Sequence, residues 1–296
     1  MRCETISKCL DEFRTGELSL REKERVAAHL AECPVCSAGL AEMAGLAAGL
    51  VGMQVKAPRG ILARVLEGTT DRYAPVETEL GRLWVGFNPR GVTMVSLSGG
   101  DSATFEIGYE KRLGRHPSMG NLPEPFADAV KKAAGGNAPS SVRVDLSGLP
   151  AFEQKVLTLL RRIPRGEVRP YSWLAREAGN PGAVRAVGNT MAHNPVPLLL
   201  PCHRVVPASG GIGKYAFGTP LKRDLLMREG VPVDEIDEYA RAHVRYIGCK
   251  STNIYCLPTC RDARRVHPQN RVLLRDASQA SQAGFRPFRH CKPGAG

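Results

Sequence analysis

The chain has 296 residues, of which 43% are hydrophobic, so it is long enough for two or three domains with cores of their own. Charged residues near the N-terminus argue against a secretory leader, and the longest apolar stretch, residues 40–55, is too short to span a bilayer. Nine cysteines in such a chain predict a reducing, cytoplasmic location without a membrane partner, where metal binding or catalysis is commoner than disulfides.

The net charge of +12 is unevenly distributed along the chain. Basic residues exceed acidic ones by about 7 in residues 150–230 and by about 9 in residues 241–296, whereas residues 231–240 carry an acidic excess of about 4. A basic excess attracts phosphate backbones. The distribution therefore favours a nucleic-acid partner, and a basic surface that only faces solvent is the alternative.

The first 50 residues combine helical periodicity with the spacing of metal ligands. Ser19 begins a capping box ahead of a helix predicted over residues 21–30. A C-x25-H-x3-C-x2-C pattern supplies the four nitrogen and sulfur ligands of a tetrahedral zinc site. The predicted ligands are Cys3, His29, Cys33 and Cys36. Cys9 could replace Cys3 or be inert, and a metal-free pair of helices is the alternative.

The sequence LDEFRTGELSLREKERVAAHLAECPVC resembles the zinc-binding anti-sigma-factor finger family. The resemblance covers about residues 1–45. It implies a module that holds a sigma factor or another protein, or that serves as a redox-sensitive switch; a folded cap without a partner is the alternative. Residues 51–75 are interpreted as a linker that contains a short helix over residues 61–67.

Residues 76–147 indicate a scaffold of strands and helices in which we find no catalytic constellation. Residues 83–87 and 91–97 alternate like two paired strands around a Pro-Arg-Gly turn. The further predicted elements are strands over residues 105–109 and 142–146 and a helix over residues 126–134.

A helical stripe over residues 152–162 precedes two helices joined by a glycine-containing turn. The two helices, predicted over residues 171–178 and 183–191, form a helix-turn-helix pattern. The second helix is rich in small residues and carries one long cation, Arg185, so its backbone could approach a duplex closely. Many such helix pairs bind nothing, so the pattern alone does not assign DNA binding.

The sequence LLLPCHRVVP places a thiol, an imidazole and a guanidinium in a row after what we interpret as a buried strand. A thiol becomes a nucleophile when a nearby base or positive charge favours the thiolate. His203 and Arg204 could activate Cys202 in this way. A buried structural cysteine beside unrelated polar residues is the alternative.

The run from Pro201 to Val206, with NPVP before it and GGIGKY after it, resembles the active-site signature of O6-alkylguanine-DNA alkyltransferases. The resemblance extends over residues 152–230 and includes IPRGEVRPYSWLAREAGNPGAVRAVGNTMAHNPVP and LKRDLLMREG; residues 76–147 fit the less constrained N-terminal half of that family. It implies repair of O6-alkylguanine, and of O4-alkylthymine, in double-stranded DNA. The transfer would be irreversible and single-turnover, with the damaged nucleotide flipped out of the stack.

The resemblance implies a catalytic role for each matching residue. Cys202 would accept the alkyl group. His203 would act as a base through a water, with Glu229 polarising the imidazole. Tyr171 would donate a proton as guanine leaves, and Asn194 would tie the active-site turn to the helix-turn-helix.

The resemblance also implies contacts with DNA. Arg185 would fill the gap left by the flipped nucleotide, and Tyr215 would form a wall of the alkyl pocket. The other predicted DNA contacts are Ala183, Ala186, Tyr171 and Arg204. Phe217 stands where relatives often have glycine, and this departure leaves the preferred size of the alkyl group open.

Residues 244–293 resemble the metal-binding domain of the adaptive-response (Ada) methyltransferases, in which a zinc-bound thiolate accepts a methyl group from a backbone phosphotriester. By alignment that acceptor would be Cys256. Phe288 stands where the third ligand should be, so Cys256, Cys260 and Cys291 remain. The candidates for a fourth ligand are Cys249, His267 and His290. A small basic domain kept for DNA affinity is the alternative.

These predictions describe a multidomain α+β protein. The expected parts are a helical zinc finger (1–50), a linker (51–75), an α/β scaffold of ribonuclease H type (76–147), a winged helix-turn-helix catalytic domain (148–232) and an α+β metal-binding tail (240–296). The leading hypothesis is a DNA-repair methyltransferase of the bacterial nucleoid that uses zinc and no organic cofactor. A non-enzymatic regulator that binds DNA or a sigma factor is the alternative. A cysteine protease is disfavoured, because its Cys and His usually lie far apart in sequence.

Overall fold

The computed structural model describes residues 3–51, 70–97 and 100–294. The chain divides into two compact units, Met1–Val65 and Leu66–Gly296. The helix predicted over residues 61–67 lies outside the described residues. Within the described residues, none of the helices has both the length and the apolar character that a membrane crossing needs.

The described residues of the first unit, 3–51, form helices, as the sequence predicts. Its helices are α1 (Cys3–Ser7), α2 (Leu10–Thr15), α3 (Leu20–Glu32) and α4 (Pro34–Val51). The capping box is present at the start of α3, where the Ser19 N–H donates to the Glu22 carboxylate at 3.1 Å. A small core of Ile6, Leu10 and Val26 holds the helices together.

The second unit begins with a four-stranded sheet in the order β3-β2-β1-β4. Its strands are β1 (Arg72–Thr78), β2 (Gly81–Asn88), β3 (Gly91–Ser96) and β4 (Ser118–Met119). The first three are antiparallel neighbours, and β4 pairs in parallel with β1 after a crossover through α5 (Ser102–Leu113). Helix α6 (Glu124–Ala134) follows. The two strands predicted in residues 83–97 and the helix at 126–134 are confirmed.

Three predictions for this region are wrong. Residues 105–109 belong to α5, because the Asp101 carboxylate caps the helix at the Thr104 N–H and the buried Phe105 and Tyr109 recur at helical spacing. Residues 142–146 form no strand, and only an isolated bridge joins Val144 to Val92. The linker ends earlier than predicted, since β1 begins at residue 72.

The next segment contains the predicted pair of helices. Helix α7 (Ala151–Leu159) continues into a 3-10 turn, and α8 (Tyr171–Glu177) is followed after a turn by α9 (Val184–Ala192). Two short parallel strands, β5 (Arg169–Pro170) and β6 (Val205–Val206), flank this pair in sequence. Helix α10 (Thr219–Arg228) closes the segment.

The strand predicted before the Cys-His-Arg run is wrong. Residues 198–200 form turns, and residues 202–204 are one turn of 3-10 helix. The prolines at 195, 197 and 201 lack the N–H that a strand ladder needs, and Leu200 N–H instead bonds Val196 O locally at 3.0 Å. The three leucines are nevertheless fully buried, so their apolar run imitates a buried strand.

The C-terminal part of the second unit is a small sheet with short helices. After α11 (Val233–Arg241), the sheet has the order β10-β8-β7-β9. Its elements are β7 (Tyr246–Cys249), β8 (Ile254–Cys256), α12 (Arg261–Arg264), β9 (Arg271–Leu274), α13 (Ala277–Gln282) and β10 (Arg286–Pro287). The Thr259 hydroxyl joins this part to residue 168, next to β5, by accepting a hydrogen bond from Val168 N–H at 3.0 Å.

Candidate active site and metal centres

Cys202 lies at the start of the 3-10 turn and is 3% exposed. Its Sγ is 3.6 Å from the Tyr215 hydroxyl. Burial raises the pKa of the Cys202 thiol, while the Asn194 and Tyr215 side chains and the charge of Lys222 act in the opposite direction. The resting sulfur is therefore protonated and needs a base to become a nucleophile.

The imidazole of His203 and the carboxylate of Glu229 form a buried pair, with His203 Nε2 2.9 Å from Glu229 Oε1. Arg204 completes the group by donating from Nε to Glu229 Oε2 at 2.7 Å and from a terminal nitrogen to Ile163 O at 2.6 Å. Burial opposes ionisation of Glu229, but the hydrogen bonds from His203 and Arg204 outweigh it and lower its pKa to about 2.

His203 is prepared to accept a proton at its second ring nitrogen. Burial lowers its pKa, although Glu229 acts in the opposite direction, so the resting imidazole is neutral. An ionised carboxylate can only accept hydrogen bonds. Nε2 of His203 therefore carries the ring proton and donates the hydrogen bond to Glu229. Nδ1 is then the acceptor, and it is buried without a hydrogen-bond partner among the described residues.

Asn194 fixes the backbone that leads into the active-site turn. Its amide nitrogen donates to Leu200 O at 2.9 Å, and its amide oxygen accepts from Val196 N–H at 3.1 Å. Between these two contacts Leu198 adopts a left-handed conformation with φ of +70° while fully buried. A non-glycine residue is costly in that region, so the surrounding contacts hold a strained turn immediately before the cysteine.

Lys222 is a part of the site that the sequence does not reveal. It is 1% exposed, donates to Val205 O at 2.7 Å and lies 5.9 Å from the centre of the Tyr215 ring. Burial lowers its pKa to about 8. Lysine is seldom buried in proteins, so the sequence LKRD does not indicate that Lys222 lies in the interior. The positive charge of its ammonium group lowers the pKa of the Cys202 thiol.

The two tyrosines of the site keep their phenol protons at neutral pH. Burial raises the pKa of Tyr171, and the charge of Cys202 raises it further. Burial also raises the pKa of Tyr215 well above its usual value. Phe217 packs edge-on against Tyr215, with ring centres 5.4 Å apart.

The residues predicted to contact DNA are only partly exposed. Arg185 and Ala186 are exposed on the first turns of α9, and Ala183 just before it is half-buried. Arg204 differs from the prediction, because it is 6% exposed and its guanidinium is occupied by Glu229 and a backbone carbonyl. Arg204 is therefore buried and lacks the exposed surface that its predicted contact with DNA requires.

Four candidate zinc ligands meet in the first unit: Cys3, His29, Cys33 and Cys36. Their ligand atoms all lie within 4.8 Å of one another. The Sγ atoms of Cys3 and Cys33 are 3.7 Å apart, close to the edge of about 3.8 Å that a tetrahedron with zinc–sulfur bonds of about 2.3 Å requires. The residues present therefore fit a structural zinc ion, and Cys9 does not belong to the group.

Three thiols meet in the C-terminal part: Cys256, Cys260 and Cys291. Their sulfur atoms lie within 4.8 Å of one another, and all three residues are buried. The candidates for a fourth ligand are Cys249, His267 and His290. None of them joins the three thiols.

Three family models match separate parts of the chain. A zinc-finger family matches residues 3–37. The DNA-binding domain of 6-O-methylguanine DNA methyltransferase matches residues 151–231. The metal-binding domain of Ada matches residues 237–294. The match to the DNA-binding domain therefore includes the buried Cys202, and the matches to the zinc-finger and metal-binding families lie before and after it in the sequence.

Curated proteins are similar to part of this chain. A methylated-DNA–protein-cysteine methyltransferase of Mycolicibacterium paratuberculosis is 40% identical over 144 residues, which cover 42% of this chain and 87% of that protein. The bifunctional transcriptional activator/DNA repair enzyme Ada of Escherichia coli is 36% identical over 169 residues, which cover 55% of this chain. The match spans only 46% of Ada.

A solved structure is also similar. The crystal structure of Mycobacterium tuberculosis OGT in complex with DNA is 31% identical, with a TM-score of 0.44, and the match covers 55% of this chain and 96% of that one.

Proposed function

The chain belongs to the family of methylated-DNA–protein-cysteine methyltransferases, and we propose from that premise that it repairs duplex DNA by moving an alkyl group from O6 of guanine, or O4 of thymine, to its own Cys202. The observation that carries this proposal is the environment of the sulfur. A buried, neutral thiol lies beside a neutral histidine with one free ring nitrogen, a buried lysine and two protonated phenols. A structural cysteine needs none of these partners.

The residues supply the proton transfers that the reaction needs. The Cys202 proton passes through a water to Nδ1 of His203, and Glu229 stabilises the imidazolium that forms. The sulfur then attacks the alkyl carbon. One S–C bond forms as the O6–C bond breaks, and the electron pair of that bond goes to guanine. Lys222 stabilises the thiolate during the attack.

Guanine leaves as an anion and needs a proton. Tyr171 is the donor, since its raised pKa keeps the phenol protonated until negative charge develops beside it. No group in this site can cleave the S–C bond of the thioether that forms on Cys202. Each chain is therefore consumed after one transfer.

The proposed reaction predicts a fixed stoichiometry. Protein incubated with an excess of duplex that contains O6-methylguanine should take up about one methyl group per chain and then stop, measured as intact protein mass over time. Repeated turnover would contradict a one-time acceptor. Tight binding to the duplex without any gain in mass would favour the regulator, which uses the same modules without chemistry.

Arg185 is predicted to matter only when a nucleotide must leave the duplex. Flipping costs roughly a few kcal/mol, and an intercalated side chain offsets part of that cost. Arg185→Ala should therefore slow transfer from duplex DNA by about tenfold to thirtyfold in single-turnover assays. The rate with a free O6-alkylguanine base, which needs no flipping, should not change. An equal loss with both substrates would contradict this role.

We also infer that the first unit is held together by one structural zinc and binds a protein partner; the resemblance to anti-sigma-factor fingers implies a sigma factor as the partner class. Cys36→Ser should lose the zinc of this unit and lower its helical content, measured by metal analysis and circular dichroism. Cys9→Ser is the matched control, because Cys9 packs in the same core but lies outside the ligand group, and it should keep the zinc. Equal zinc content in both variants would contradict the ligand assignment.

A further inference from the structure

The C-terminal thiol cluster is one ligand short of a zinc site. All cysteines and histidines of the chain fall within the described residues, so none of these ligand types is left outside them. Among the described residues, only Cys256, Cys260 and Cys291 bring ligand atoms together here. Structural zinc almost always takes four ligands in a tetrahedron. The cluster therefore does not fit the ion that its family implies.

The neighbouring side chains cannot supply the missing ligand. Phe288, at the position aligned with a ligand, packs against the cluster as an apolar residue. The Thr259 hydroxyl is committed to Val168, from whose N–H it accepts and to whose carbonyl it donates. The Cys249 sulfur instead lies 3.2 Å from the Ser251 hydroxyl.

The surroundings of the cluster also disfavour a water as the fourth ligand. The three cysteines are 6%, 0% and 0% exposed in chain order. The other buried side chains of the same core are Ile247, Leu257 and Ala263, and partly buried side chains that pack against it are Tyr239, Tyr246, Ile254 and Phe288. Solvent therefore has little access to the three sulfur atoms. Three sulfur atoms without a fourth ligand from the described residues therefore define the site.

We propose that Cys256, Cys260 and Cys291 form a centre for a soft, three-coordinate metal ion, with monovalent copper as the representative. Thiolates select soft ions such as Cu(I), and copper(I) accepts three ligands where structural zinc requires four. Binding forms three metal–sulfur bonds and releases the thiol protons, with no change in oxidation state. The replacement of a fourth ligand by Phe288 would thus change the metal preference of the domain.

The test uses the full chain with Cys33→Ser and Cys36→Ser, so that the first unit contributes no metal. Under anaerobic conditions this protein is loaded with Cu(I) or with Zn²⁺ and challenged with chelators. We expect one Cu(I) per chain with three sulfur neighbours in X-ray absorption. We expect Zn²⁺ to be removed at a chelator concentration at least tenfold lower than in the same protein carrying Phe288→Cys, which restores a fourth thiolate.

Phe288→Leu is the matched control, because it keeps an apolar side chain and adds no ligand. It should release Zn²⁺ like the parent protein. Four protein ligands around Zn²⁺ in the parent, or two sulfur neighbours around Cu(I), would overturn the proposal. Equal zinc retention in the leucine and cysteine variants would also overturn it. Adding Cys256→Ser to the parent should abolish Cu(I) retention, with thermal unfolding of the metal-free proteins as the check on folding.

Discussion

Cys202→Ser is expected to lower the single-turnover rate of methyl transfer by about 10⁴-fold or more, which is a loss below detection in most assays. A hydroxyl is close to a thiol in size, so the turn and the buried pair beneath it should persist. It is however a far weaker acid and nucleophile than a thiol, and His203 cannot ionise it to a useful extent. The measurement is the amount of O6-methylguanine left in the duplex after incubation with an excess of protein.

Two controls separate chemistry from binding in that experiment. The serine variant should bind the duplex as tightly as the natural chain, because the exposed face of α9 is unchanged. Cys249→Ser removes a thiol that lies outside the buried site and should leave repair intact. Lesion removal by the Cys202 variant would show that another group accepts the methyl.

Glu229→Gln is expected to destabilise the second unit by about 3–5 kcal/mol. The carboxylate is 4% exposed and is the anionic partner of both His203 and Arg204. An amide keeps the volume but leaves the Arg204 guanidinium without its counter-charge in a buried position. Both tryptophans, Trp84 and Trp173, lie in the second unit, so denaturant unfolding followed by tryptophan fluorescence reports on this unit alone.

The same variant should change how stability depends on pH. The pKa of Glu229 is about 2 in the folded chain and about 4.3 in an unfolded one. A lowered folded pKa gives stability that is fully present above about pH 4.3 and is lost as pH falls towards 2. Glu229→Gln should lack this loss. Glu77→Gln, in a pair whose side chains are 68% and 63% exposed, should change stability by less than about 0.5 kcal/mol.

The local motifs of the active site are readable from the sequence, whereas the contacts that join distant segments are not. Cys202 and His203 are adjacent, and Asn194 bonds backbone atoms only a few residues away. This part of the active site is therefore contained in one short stretch of sequence. The hydrogen bonds of Glu229 span 25 and 26 residues, and its pairing was predicted only through the resemblance to a family. The burial of Lys222 had no sequence signal.

The errors in the fold have the same physical origin. Short apolar runs do not distinguish a strand from a helix or a buried turn. Phe105 and Tyr109 lie in a helix because the Asp101 cap starts it, and Leu198–Leu200 form turns because prolines interrupt the ladder. Long periodic segments with clear ends were predicted correctly, as in α3, where the capping box and the metal-ligand spacing agree.

The central claim is that one particular sulfur takes the alkyl group, and peptide mapping after reaction with an O6-methylguanine duplex tests it most directly. The account predicts that the protein gains the mass of one methylene unit and that tandem mass spectrometry places it on Cys202. Finding the added mass on Cys256 or any other cysteine, or finding repaired DNA with an unmodified Cys202, would contradict it.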